Sequence, residues 1–120
     1  MWYYSQRLGT LNQDGVYVAK GYAGHPPHVN DPTAQAIHNV GPLPQGFYTI
    51  GAMFDSPSLG PDIMALIPDQ DNEMFGRSGF YMHGDNPRHV GFSSDGCIIM
   101  AHLIRLQVNN SDDRRLKVTG

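Results

Sequence analysis

A single cysteine, Cys97, in 120 residues excludes an intramolecular disulfide and leaves packing, metal binding or nucleophilic chemistry as uses for the thiol. Basic residues are not in excess. With a formal net charge of −3 and a pI near 6.0, the chain lacks the electrostatic footprint of a nucleic-acid-binding protein, and nucleic acid is not an expected partner. No apolar run approaches the roughly 18 residues of a membrane span, so none is expected. The first residues, Met1-Trp2-Tyr3-Tyr4-Ser5-Gln6-Arg7, also lack the apolar segment of a classical signal peptide, which points to a chain made in the cytoplasm. Repeats, low-complexity tracts and linkers are missing too. A single domain over residues 1–120 follows, large enough to bury about 60–70% of its unfolded surface. His83, Asp85, His89, Cys97 and His102 are metal-ligand types, but they form no tight pair such as His-Glu-x-x-His or Cys-x-x-Cys, so no metal or other cofactor is expected.

What is present reads as short strands and loops. Residues 2–5 and 16–19 are rich in aromatic and β-branched types, and Asn12-Gln13-Asp14-Gly15 offers a hairpin turn between them. The segment Gly24-His25-Pro26-Pro27-His28-Val29-Asn30-Asp31-Pro32 holds too many prolines for a regular element and reads as a surface loop. Strands are expected over 47–54, with Tyr48 and Ile50 on one face, over 63–67, over 80–82 leading to His83, and over 116–119, with 69–78 a polar connection. From Ile98 to about Val108 no proline or glycine intervenes, and Ile99, Leu103 and Leu106 recur at helical spacing; these predict one amphipathic helix.

Cys97 stands in Ser94-Asp95-Gly96-Cys97-Ile98-Ile99, downstream of the strand that ends at His83. A free cysteine often packs as a small hydrophobe. The alternative is a nucleophile whose proton is removed by an imidazole, and His83 is the candidate partner. Gly96 permits a sharp turn. Ser94 and Asp95 are N-cap types, which places the start of the helix at Cys97 or Ile98 and its dipole on the thiol. Backbone N–H groups around Gly96 and Cys97 would then meet the oxyanion of an acyl-transfer intermediate, where losing one donor costs about 2.7–4 kcal/mol. Arg77 and Arg88 read as solvated, with Arg88 also a candidate to grip a substrate carboxylate; His25, His28 and His38 read as loop surface and His102 as a helix side chain.

The stretch from His83-Gly84 through Ser94-Asp95-Gly96-Cys97 resembles the signature of L,D-transpeptidases of the YkuD-like fold, and Gly41-Pro42-Leu43-Pro44-Gln45-Gly46-Phe47-Tyr48-Thr49-Ile50 is similar to their Pro-x-Gly-x-Phe/Tyr-x-Ile strand. With Gly21-Tyr22-Ala23-Gly24 and the short length, the chain looks most like the L,D-transpeptidase-related effectors delivered by type VI secretion, from residue 2 to 119. It departs from the broad family in carrying Asp95 in place of a histidine, Ile99 in place of Asn or Arg, and a short His-to-Cys interval. The resemblance implies a mainly β fold, a β-sandwich or open barrel with one amphipathic helix after the cysteine. It makes Cys97 the nucleophile, His83 the base and the Gly84 carbonyl the group that orients the imidazole, with Asp95 and Gly96 in the oxyanion turn and Ser94, Arg88 and Tyr22 near substrate. It further implies L,D-carboxypeptidase or transpeptidase chemistry on peptidoglycan tetrapeptide stems, without a cofactor. Secretion into the periplasm of a target bacterium, a secretion-system carrier and an immunity protein would accompany an antibacterial role. A noncatalytic wall-binding module of the same fold and a zinc-dependent wall hydrolase are the competing alternatives.

Overall fold

Trp2 and Tyr4 alternate with Tyr3 and Ser5, and this period of two forms strand β1 (Trp2–Ser5), which buries both even-numbered aromatics completely. The computed structural model describes residues 1–120. β1 pairs antiparallel with β2 (Thr10–Gln13), which turns through Asp14 (φ +49°) and Gly15 (φ +84°) into β3 (Val16–Lys20). Two left-handed residues make the tight hairpin turn whose twist suits the flanking strands. The anticipated turn therefore contracts to Asp14-Gly15. Asn12 and Gln13 belong to β2, which escapes sequence patterning because Leu11 is its one fully buried residue.

The Pro-rich segment ends in a short 3-10 turn, Pro32–Ala34, capped by the Asp31 carboxylate accepting from Thr33 N–H at 3.0 Å. Strand β4 (Gly46–Ile50) buries Tyr48 and Ile50, as the alternation requires, but stops short of residue 54. β5 (Phe54–Ser56) and the long β6 (Gly60–Pro68) form a hairpin, followed by β7 (Tyr81–His83), β8 (Ile98–Ile99), helix α1 (His102–Asn110) and β9 (Arg115–Thr119).

The helix begins later than the spacing predicts. Ile98 and Ile99 are β-branched and flanked on both sides by backbone partners: β7 runs parallel to them, and Tyr22 exchanges hydrogen bonds with Ile99 (Ile99 N–H to Tyr22 O 2.7 Å, Tyr22 N–H to Ile99 O 3.2 Å). They are strand for that reason. The later start also rotates the helix: Arg105 and Val108 are buried with Ile104 packed against the core, whereas Leu103 is 77% exposed.

The sheet runs β3-β2-β1-β9-β4-β6-β7-β8, with β5 attached to β6. β1 and β9 are parallel neighbours, β9 and β4 are antiparallel, and the Tyr22–Ile99 bridge joins the segment after β3 to the far edge strand β8. The sheet thus curls toward closure around a core in which Trp2, Tyr4 and Leu11 meet Tyr48, Leu66, Met82 and Ile98. This is a mainly β architecture with one α-helix after the cysteine. No helix is long and apolar enough to cross a membrane.

Candidate active site

Parallel pairing of β7 with β8 sets Met82 opposite Ile98 and His83 opposite Ile99, so Cys97, one residue before β8, arrives beside Tyr81. There the Tyr81 N–H donates to Cys97 Sγ at 3.3 Å. Cys97 and His83 both line a cavity of about 360 Å³, together with His38, Arg77, Phe80 and Asp95. His83 also walls a larger cavity of about 630 Å³ between the β5–β6 hairpin and the loop after β7, with His25, Asp85, Phe92 and Arg105. The two cavities share Leu59, His83 and Ser93. The imidazole stands at their junction.

The protonation of His83 follows from its neighbours. Its Nδ1 lies 2.9 Å from the Gly84 carbonyl, and because a carbonyl only accepts, Nδ1 carries the proton and Nε2 keeps its lone pair. Burial holds the imidazole pKa below the usual 6.5, and the Arg105 cation pushes the same way against the Gly84 bond and the Asp85 and Asp95 charges. At neutral pH it is a free base. Gly84 is glycine for a spatial reason: a Cβ there would come within 2.8 Å of Arg105 Nη1.

Cys97 does not sit at a helix N-terminus, since α1 starts at His102. Its thiol is buried, and desolvation pushes its pKa up to about 11 with help from the Asp95 charge; the Tyr81 N–H, its own N–H and the Arg77 cation pull the other way. The expected thiolate-favouring dipole is therefore replaced by a resting thiol.

The turn before Cys97 is built differently from the expected helix cap. Ser94 is fully buried; its hydroxyl accepts from Gly24 N–H (2.9 Å) and Gly96 N–H (3.1 Å) and donates to the Cys97 carbonyl (2.6 Å). This local side-chain turn consumes the hydroxyl, so Ser94 has nothing left to offer a substrate. It also occupies the Gly96 N–H, which removes that group from the oxyanion role assigned to it. Asp95 directs its carbonyl to Arg77 Nη2 (3.1 Å), while its largely exposed carboxylate lies 3.7 Å from His25 Nδ1 and opposes negative charge at the sulfur. We expect Ser94→Ala to destabilise the protein by about 2 kcal/mol or more, because it strands three buried backbone groups; a melting temperature unchanged from the parent would contradict this role for the hydroxyl.

Two further candidates fall outside both cavities. Tyr22 donates its hydroxyl to Asp85 Oδ1 (2.8 Å) and accepts from Ser93 N–H (3.1 Å), thereby fastening the loop after His83. Arg88 is exposed in that loop. Arg77, by contrast, is buried. Leu59 and Ser93, which wall both cavities, and the buried Arg105 behind Gly84 went unrecognised in the sequence, because a leucine in a turn, a serine in a loop and an arginine on a helix carry no motif. No group of three or more His, Cys, Asp or Glu side chains is placed to hold a metal ion.

Comparison with curated proteins gives no match. A family model described as the Tlde1 domain matches residues 17–119, from β3 through β9, and so takes in every side chain of the two cavities. The chain thus belongs to the Tlde1 domain family, whose L,D-transpeptidase-like fold carries cysteine-dependent modification of peptidoglycan.

Proposed function

We propose that residues 1–120 form one catalytic domain in which Cys97 and His83 trim or exchange the terminal D-alanine of tetrapeptide stems. The observation that carries this is the neutral imidazole of His83, fixed through Nδ1 on Gly84, sharing a cavity with the only thiol. His83 Nε2 removes the Cys97 proton as Sγ bonds to the carbonyl carbon of the third stem residue. The tetrahedral intermediate then expels D-alanine, whose amine takes the proton from His83, leaving a thioester. Water or a second amine, deprotonated in turn by His83, attacks the thioester carbonyl, and Sγ departs with the proton restored. The N–H groups of Tyr81 and Cys97 donate to Sγ in the resting thiol and are freed toward the oxyanion as Sγ bonds to carbon, whereas the Gly96 N–H stays held by Ser94 Oγ; they replace Gly96 as candidates for that role. The larger cavity beyond His83 offers room for the stem or the acceptor.

Mass spectrometry of tetrapeptide muropeptides incubated with the protein, with and without a free D-amino acid, tests this reading: loss of D-alanine marks hydrolysis, replacement marks exchange, and an unaltered stem removes the assignment. The pH dependence has a definite sign. Protonated His83 cannot accept the thiol proton, so kcat/KM falls as pH drops through the imidazole pKa, and that acid limb is expected below 6.5. A limb centred above 6.5 would contradict the buried, neutral base.

For an enzyme acting on peptidoglycan, the compartment decides toxicity. Cytoplasmic expression is expected to be tolerated, because no crosslinked wall lies there, whereas fusion to a periplasmic export signal is expected to cause swelling or lysis. Equal toxicity from both compartments would argue against a peptidoglycan target.

A further inference from the structure

Two arginines in this chain are buried without a carboxylate partner. Arg77 is 6% exposed and gives its guanidinium to four backbone carbonyls: Nη1 to Gln35 (2.6 Å) and Pro42 (2.8 Å), Nη2 to Gly41 (2.8 Å) and Asp95 (3.1 Å). It stacks 5.1 Å from the centre of the Phe80 ring and fills the space where a side chain on Gly96 would lie. Arg105 is 5% exposed and gives Nε to Asp62 O (2.9 Å), Nη1 to Met100 O (2.7 Å) and Nη2 to Pro61 O (3.3 Å), with Nη1 2.8 Å from where a side chain on Gly84 would begin. One guanidinium backs the turn that carries Cys97. The other packs beside Gly84, the residue whose carbonyl orients His83.

A buried cation is costly unless it is hydrogen-bonded, and here carbonyl dipoles supply the bonds while leaving the full positive charge uncancelled. The fork of donors ties segments far apart in sequence to one point, which a solvated side chain could not do. We propose that Arg77 and Arg105 are paired positioning residues, each locking one half of the Cys97–His83 couple in place and setting a fixed positive charge behind it. This rests on the assignment of Cys97 and His83 as the reacting pair.

Other charges face the same groups. Cys97 is faced by Asp95, which opposes Arg77, and by His83 and His38 across the cavity; Tyr48 lies near Arg77. His83 is faced by Asp85 and Asp95, which oppose Arg105, and by His25 and His89 across the larger cavity; Asp62 faces Arg105 and is itself engaged by His102. Each arginine therefore works against acidic neighbours, and its removal shifts its own target.

The test needs no substrate for its first readout. The Cys97 midpoint is taken from the pH dependence of iodoacetamide alkylation and the His83 midpoint from NMR titration of its imidazole, for the parent, Arg77→Met and Arg105→Met, with melting temperature as a check of folding. Arg77→Met is expected to raise the Cys97 midpoint, and Arg105→Met the His83 midpoint, each by about one pH unit and each with the larger effect on its own target. Folded Met variants whose midpoints superimpose on the parent's would overturn the proposal. Should a Met variant fail to fold, Arg77→Lys and Arg105→Lys decide: they keep the charge but lose the fork, so the midpoint is expected to hold while kcat on tetrapeptide falls at least tenfold. Parental kcat, or a shifted midpoint, in those variants overturns the proposal. If tetrapeptide turnover instead survives Cys97→Ala, it is the assignment of the reacting pair that fails, and the midpoints still report on the two arginines.

Discussion

Cys97→Ala is expected to lower tetrapeptide turnover by about a thousandfold or more while the protein still folds, since removing a nucleophile from a concerted acyl-transfer group costs a factor of this order. The structure makes the folding half of this statement specific. Sγ accepts from Tyr81 N–H at 3.3 Å, is also approached by its own N–H, and points to the Gly79 carbonyl at 3.9 Å, so alanine leaves weakly engaged backbone groups and a small void. His83→Ala is expected to depress turnover comparably and to slow iodoacetamide labelling of Cys97, because the buried thiol, with a pKa near 11, then has no base to take its proton. The check is turnover beside melting temperature for both variants. A Cys97→Ala protein that trims at the parental rate would end the assignment of this residue as nucleophile.

Gly96→Val is expected to abolish turnover and to lower the melting temperature as well. Gly96 holds φ at +137°, and a Cβ there would stand 2.6 Å from Arg77 Nη2 and 2.7 Å from a Phe80 ring carbon. Overpacking of this kind costs about 1–3 kcal/mol, and here relief requires Arg77 to withdraw from carbonyls it holds. Asp95→Asn is the contrasting variant. Its carboxylate is mostly exposed and raises the thiol pKa, so the amide is expected to leave stability unchanged and to speed alkylation of Cys97. Full turnover in Gly96→Val, or loss of turnover with an intact fold in Asp95→Asn, would show that the Asp95 side chain carries a part the geometry does not give it.

The elements that the sequence made legible are those with one clean period and one buried face. Alternation at Trp2/Tyr4, Tyr48/Ile50 and Leu116/Val118 placed β1, β4 and β9, and the isolated thiol and the strand-end histidine marked the pair that the fold brings to one cavity. Long-range partners decided the rest. Ile98-Ile99 reads as the first turn of a helix until β7 and Tyr22 are seen on either side of it, and Ser94-Asp95 reads as a helix cap until the hydroxyl of Ser94 is found on Gly24, a segment the local pattern cannot see. Arg77 and Arg105 are the strongest case, because a lone arginine is ordinarily a surface residue and all but one of the backbone carbonyls that hold these two come from segments remote in the chain, Met100 being the local exception.

The place of β9 sets the order in which a nascent chain can assemble. β1, β2 and β3 meander as one antiparallel ribbon, and β4, β6 and β7 as another; both can pair as soon as their own residues have left the ribosome. Each ribbon then waits with an open edge, because the strand that lies between β1 and β4 follows every other strand of the sheet in sequence. Insertion of Arg115–Thr119 stitches the ribbons together on one side, and the Tyr22–Ile99 bridge that links the β3 end to β8, the strand that follows the thiol, does so on the other. Translation therefore has to reach β9 before the nucleophile and the aromatic core of β1 belong to one sheet, and chains interrupted before residue 115 expose two unpaired edges suited to aggregation rather than chemistry.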